Sequence, residues 1–320
     1  MTKHQSKQKR IEFLRTFKDK VFIKHPQIIE IHNKLEDLMR SCGTGESGGL
    51  FIYGRSGAGK SRMAQKFLQM HPQKSLLEKE VFPVVKVDCP TPFSVKALTS
   101  DFLKVYGYPA YLQGTAWQLR DRLIHCITKC ETKLIIIDEI QHIIESRSGI
   151  ANGRTIQNMD YIKQLSNVVR VPIVIVGTEE ALPVFSANFQ IMRRFKRRVH
   201  LELLDNGIQF RSILHKIEKA LPLKNSSHLA DPAIADEVWK ITRGIISNVV
   251  DLLQKSAIEA IKTKEERITA RLLHNCKADA VVQIDEKVAA AHLFGAYGSK
   301  NPNRNQVCYD SVQDKSLVAA

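Results

Sequence analysis

Acidic residues are in short supply in this chain. Among its 320 residues, 33 Asp and Glu face 48 Lys and Arg, giving a formal charge of +15 and a pI near 9.5. An imbalance of this size points to an acidic polymer as partner, with nucleic acid the leading candidate, while a basic surface kept for solubility is the bland alternative. No apolar run approaches the length of a membrane span. The Lys- and Arg-rich stretch Met1 to Lys20 also lacks the apolar core of a signal peptide, so the expectation is a cytoplasmic protein with no membrane partner. Cysteine is sparse and scattered, at 42, 89, 126, 130, 276 and 308, with no CxxC pair. Cys126 and Cys130 would share a helical face near His125, but further ligands at metal-binding spacing are missing, so all six read as reduced, mostly packing thiols.

What the chain does contain is a phosphate-binding loop. Gly54-Arg55-Ser56-Gly57-Ala58-Gly59-Lys60-Ser61 matches GxxxxGK[ST] in full and directly follows the apolar run Leu50-Phe51-Ile52-Tyr53. The glycines let backbone N–H groups turn inward around a polyphosphate. Lys60 can reach the β- and γ-phosphates, and the Ser61 hydroxyl can ligate Mg²⁺. Arg62 to Met70 contain no Pro or Gly and can form the helix whose N-terminus faces the anion.

A second element lies roughly 75 residues on, far enough for intervening strand and helix units. Leu134-Ile135-Ile136-Ile137-Asp138-Glu139 reads as a buried strand ending in two carboxylates, in the manner of a Walker B element. Asp138 would hold Mg²⁺ directly or through water, and Glu139 would polarise the attacking water. A pair that merely caps the following helix is the structural alternative.

Residues 1 to about 47 read as a basic arm and an amphipathic helix, Pro26 to Met39, followed by the Gly-rich break Gly43 to Gly49. Further strands are expected at Val84 to Val87, Val171 to Val176 and Val199 to Leu203. Helices are expected at Ser94 to Tyr106, Ala116 to Cys130 and Ile156 to Val169, with a polar loop Ser146 to Arg154. Beyond Asp205 the pattern turns helical, at Ile208 to Ala220, Asp231 to Thr242, Ser247 to Thr263 and Ala270 to Cys276, and Gly295 to Ala320 reads as a tail ordered at most by a partner. The reading is an α/β fold, a parallel sheet flanked by helices, with a small all-helical lid. The expected segments are 1–47 (arm and helix), 48–205 (nucleotide-binding domain), 206–276 (lid) and 277–320 (tail).

With these pieces in order the chain resembles an AAA+ ATPase of P-loop NTPase type, and more narrowly the TnsC/TniB family of transposition regulators, over roughly residues 20 to 275. The telling segments are Val21-Phe22-Ile23-Lys24-His25-Pro26, Val87-Asp88-Cys89-Pro90, Asp138-Glu139-Ile140-Gln141-His142 and Pro172-Ile173-Val174-Ile175-Val176-Gly177-Thr178-Glu179-Glu180. The resemblance implies ATP and Mg²⁺ as cofactors and places a γ-phosphate sensor at Thr178, where a simple helix cap is the alternative. It places the arginine finger, which completes a neighbouring subunit's site, within Met192 to Arg198, with Arg194 the first choice and Arg193 the next. The second sensor, often a lid arginine, has no match: Thr242-Arg243-Gly244-Ile245-Ile246-Ser247-Asn248 carries the glycine but no arginine three or four residues on. The resemblance further implies ATP-driven assembly with copies of itself into a ring or filament on double-stranded DNA. Lys96, Lys104, Arg147 and Arg154 would contact phosphates, and the assembly would link a target-selection protein to a transposase before hydrolysis disassembles it. A helicase loader or initiator, or a nucleotide-switched protein-binding scaffold, are the competing functions.

Overall fold

A strand buried on both faces reads as a near-continuous apolar run, whereas a half-buried strand alternates. Leu134–Asp138 (β5) and Ile173–Gly177 (β6) are of the first kind, and every residue in both is buried. The computed structural model, which describes residues 3–44, 48–77, 79–144, 153–182, 185 and 189–281, sets them at the centre of a five-stranded sheet. Its other strands are Leu50–Tyr53 (β1), Val84–Asp88 (β4) and Arg197–His200 (β7), and the order is β4-β5-β6-β1-β7 with every pairing parallel. A short antiparallel hairpin joins Lys74–Ser75 (β2) to Glu80–Val81 (β3).

Side-chain alternation divides the apolar residues between two cores. Ile135, Ile137, Ile173 and Ile175 pack with Phe102 of helix Val95–Val105, Leu123 of helix Ala116–Lys129 and Ile162 of helix Gly153–Val169. Leu134, Ile136, Val174 and Val176 pack on the other face with helices Pro26–Arg40 and Lys60–Met70. Each fully buried Ile or Val contributes about 1.5–3 kcal/mol relative to exposure, so both faces are strongly held.

A third core is all-helical and gathers Ile208–Ala220, Pro232–Thr242, Ile246–Lys262 and Ala270–Ala280. Residues 3–15, read from the sequence as a basic arm, form a helix that joins it. Leu14 and Phe17 are fully buried there, and Arg10 makes a bidentate pair with Glu266, at 3.1 Å from Nη1 and 2.5 Å from Nη2, while its Nε donates to Pro222 O. The dense basic charge of this stretch conceals a spacing of Ile11, Leu14 and Phe17 that suits a buried helical face.

Other differences are small. The final strand is Arg197–His200 and not 199–203, because its partner β1 offers only Leu50–Tyr53 for pairing before the chain turns into the loop. The last helix continues to Ala280, past the expected end at Cys276. Most of the expected loop Ser146 to Arg154, and the tail from 282, lie outside the described residues. No described helix is long and apolar enough to cross a membrane. The five described cysteines are free thiols, and burial raises the pKa of each.

Two histidines tie the segment before the sheet to its core. His25 and His32 are about 95% buried, and His32 Nε2 donates to Met63 O at 3.2 Å while its ring stacks on Phe22. Burial is the largest cause lowering both imidazoles below the ordinary value of 6.5. A lowered folded-state pKa means the unfolded chain takes up protons first, so stability is full above about pH 6.5 and declines as pH falls toward the folded values. Thermal melts from pH 7.5 to 5 should show this decline, and His25→Gln with His32→Gln should flatten it.

Candidate nucleotide-binding and catalytic site

Parallel strands deliver their C-terminal ends to one edge of a sheet. At that edge Tyr53 gives way to the loop Gly54 to Gly59, and helix Lys60–Met70 begins at once. Gly57 adopts φ +79°, and a Cβ there would meet Ser247 Oγ and lie 2.8 Å from Ile245 Cγ2. Both the left-handed backbone and the close approach of the helical lid therefore require glycine at this position.

Lys60 is only 7% exposed, and its ammonium donates to Gly54 O at 2.8 Å and Arg55 O at 2.9 Å. Burial lowers its pKa, while Glu139 and Asp138 pull the other way. A buried ammonium bound only to neutral carbonyls is well suited to receive an anion.

Asp138 ends β5 at 1% exposure, its Oδ1 accepting from the Glu139 N–H at 2.9 Å. Its Oδ2 has no hydrogen-bond partner but lies 3.1 Å from the ammonium of Lys86 on β4. Lys86 also pairs with Asp88. Burial works against its charge, yet Asp138 and Asp88 together raise its pKa above the ordinary lysine value.

Glu139 takes a left-handed turn, φ +55° and ψ +38°, which costs a non-glycine residue roughly 1–2 kcal/mol. Ser61 Oγ lies 3.4 Å from its Oε1, and Gln141 Nε2 donates to its Oε2. Gln141 Oε1 in turn accepts the Thr178 N–H at 3.1 Å. Neither Glu139 nor Thr178 caps the short turn that follows it, and the Thr178 hydroxyl is 3.4 Å from Glu180 Oε2.

These groups border a cavity of about 440 Å³ lined by Ser56 to Ser61, Glu139, Gln141 and Thr178. Two of its walls are not foreseen from motif spacing. Val21, Phe22, Ile23 and His25 come from the segment before helix Pro26–Arg40, and Ile246, Ser247 and Val250 come from the lid. Arg62, next to Ser61, donates to the carbonyls of Lys18 and Val21, and Lys18 pairs with Asp251 of the lid, so this segment joins loop helix to lid. The lid's own link is the Ser247 N–H, which donates to Gly57 O at 3.1 Å.

Arg193, Arg194, Lys96 and Lys104 are not among the residues that line this cavity. Arg193 is exposed at the end of helix Phe189–Arg194. Arg194 is turned inward: its guanidinium donates to Ser166 Oγ of helix Gly153–Val169, its Nε is buried without a partner among the described residues, and burial lowers its pKa. Lys96 and Lys104 are exposed on helix Val95–Val105. Arg147 and the side chain of Arg154 lie outside the described residues.

The buried strand–loop–helix, the carboxylate-tipped second strand and the helical lid define the class as an AAA+ P-loop NTPase fold. Solved structures agree on the fold. ORC1 of Aeropyrum pernix, in complex with DNA, is 15% identical, with a TM-score of 0.59 over 81% of this chain and 66% of that one, so this chain spans just under two thirds of it. ORC2 of the same organism, as ADPNP–ADP complexes, is 16% identical with a TM-score of 0.60 over 82% and 75%. CDC6P from Pyrobaculum aerophilum is 17% identical with a TM-score of 0.61 over 84% and 71%. No curated protein matches the sequence. The model of the bacterial TniB protein family matches residues 10–203, more than half the chain, and the chain belongs to that family.

Removing one partner of a buried ion pair leaves the other uncompensated. Lys86→Met should therefore lower unfolding free energy by about 3 kcal/mol in denaturant titrations.

Proposed function

We propose that this chain is an ATP-dependent, DNA-binding transposition regulator that assembles on target DNA, recruits a transposase to a site chosen by a target-selection protein, and disassembles on hydrolysis. The observation that carries this reading is the meeting of Lys60, Ser61, Glu139 and Thr178 around one cavity, with Asp138 beside it, in a chain of the TniB family.

The apolar side chains Val21, Phe22, Ile23 and Val250 suit a planar base, and the loop N–H groups and Lys60 suit the phosphates. The residues present fit Mg²⁺: Asp138 offers a buried carboxylate oxygen whose one close partner among the described residues is the Lys86 ammonium at 3.1 Å, and the Ser61 hydroxyl lies 3.4 Å from the adjacent acid Glu139. Bound there, Mg²⁺ would neutralise charge on the β- and γ-phosphates. Glu139 takes the proton of the water whose oxygen bonds to the γ-phosphorus as the bond to the bridging oxygen of ADP breaks. Thr178 orients that water or the phosphate.

The exposed guanidinium of Arg193 suits the finger offered to a neighbouring copy better than Arg194, which braces Ser166 within its own chain. Such a finger requires head-to-tail assembly, as a ring or filament. The charge of +15 and exposed Lys96 and Lys104 favour phosphate contacts with duplex DNA, with Arg147 and Arg154 further candidates. Such contacts are weak in sequence preference and sensitive to salt. The proposed working division is 48–205 for nucleotide chemistry and 206–276 for the lid, preceded by 1–47 and followed by the tail 277–320, in a cytoplasmic protein. A helicase loader or initiator would share this ATP chemistry, and family membership favours transposition.

Subunit mixing tests the reading. Arg193→Ala and Glu139→Gln should each lose most DNA-stimulated ATPase activity, a loss of roughly 10³-fold for the finger. Mixed together they should recover activity, because a Glu139→Gln subunit lends its arginine to an intact neighbouring site. Absence of recovery, or full activity of Arg193→Ala alone, would contradict shared sites.

A further inference from the structure

The amide of Gln141 touches both arms of the site. It donates from Nε2 to Glu139 Oε2 and accepts at Oε1 from the Thr178 N–H at 3.1 Å. Gln141 sits in the short turn Ile140–Ile143 that follows β5, whereas Thr178 follows β6, so this amide bridges the ends of two neighbouring strands. The chemistry of the pair is selective. A carboxylate demands a donor and a backbone N–H demands an acceptor, and a primary amide on a two-methylene stem presents both at one end. Glutamate offers no donor, and methionine, of similar length, offers neither at useful strength.

The backbone makes room for this bridge. Gly177, the last residue of β6, is buried, and a Cβ there would lie 2.9 Å from Gln141 Oε1 and 2.6 Å from Ile140 Cγ2. The left-handed turn at Glu139 then brings its carboxylate back within reach of the same amide. Strain at Glu139, a missing side chain at Gly177 and both ends of the Gln141 amide thus serve one arrangement.

We propose that Gln141 is a positioning residue for hydrolysis: it fixes the carboxylate of Glu139 relative to Thr178, so that the water-activating base and the γ-phosphate sensor act as one unit. The inference rests on the hydrolase reading above and adds to it a residue of the cavity wall that acts through Glu139 and Thr178. Removing partners that orient a reacting group typically costs 10–100-fold in activity.

The test is steady-state and single-turnover ATP hydrolysis by the full chain with duplex DNA, beside binding of a fluorescent ATP analogue. Gln141→Met should lower kcat by roughly 10–100-fold with KM and analogue affinity within about threefold of wild type. Gln141→Glu, which keeps an acceptor for Thr178 but sets a second carboxylate against Glu139, should lose as much. Gly177→Ala, which crowds the amide without removing it, should lose in the same direction. In a Glu139→Ala background, Gln141→Met should cause little further loss, since the group it positions is gone. A packing role predicts otherwise: Gln141→Met near wild type, or a loss that recurs in full on the Glu139→Ala background and falls on analogue binding too. Either result overturns the proposal while leaving the hydrolase reading standing. Absence of turnover by wild type with DNA would overturn both.

Discussion

Parallel pairing of β1 between β6 and β7 is the constraint from which the rest follows. Leu50 to Tyr53 pair with Val174 to Gly177 on one side and with Arg197 to His200 on the other, so all three chains leave the sheet at one level. β5 lies on the far side of β6, which sets Asp138 and Glu139 two strands from the phosphate loop. That spacing brings Ser61 to 3.4 Å from Glu139 although 77 residues separate them in the chain. A slip of one residue in β1 would invert its faces and carry Gly54 away from the edge, so register and chemistry are a single requirement.

The edge so formed concentrates charge in a buried setting. Lys60 and Asp138 are more than 90% buried, and each is held by a different device: Lys60 by two loop carbonyls, Asp138 by the ammonium of Lys86. Lys60, bound to neutral carbonyls, lines the cavity, whereas Asp138 is held in a buried ion pair beside it. The lid closes over this edge through Ser247 on Gly57, and the N-terminal segment closes it from the other side through Arg62 and Asp251. Contacts of this kind give nucleotide a physical route to the helical part of the molecule, because the same loop holds both.

How much of this is legible in the sequence depends on whether a feature is local. The phosphate loop and the strand Leu134–Asp138 are legible because each is one contiguous pattern bounded by apolar residues, and the helices around them follow from 3.6-residue spacing. The docking of residues 3–15 is not, because lysines and arginines dominate its composition and its apolar face has meaning only against lid helices more than 200 residues away. Arg194 shows a different limit: Met192 to Arg198 is plainly basic, but which guanidinium turns inward depends on Ser166, in a helix that precedes β6. Lys86 and Gln141 are ordinary polar residues in sequence, and they gain roles only once β4, β5 and β6 lie side by side. Asp138-Glu139-Ile140-Gln141-His142 does mark the place, without stating what the glutamine holds.

Electron microscopy of the protein with duplex DNA and a non-hydrolysable ATP analogue, beside Lys60→Ala, tests the proposed function most directly. Rings or filaments enclosing DNA are expected in the wild-type sample with nucleotide, and neither in Lys60→Ala nor without nucleotide. Monomers that ignore DNA under all conditions would contradict it and favour a nucleotide-switched, protein-binding scaffold.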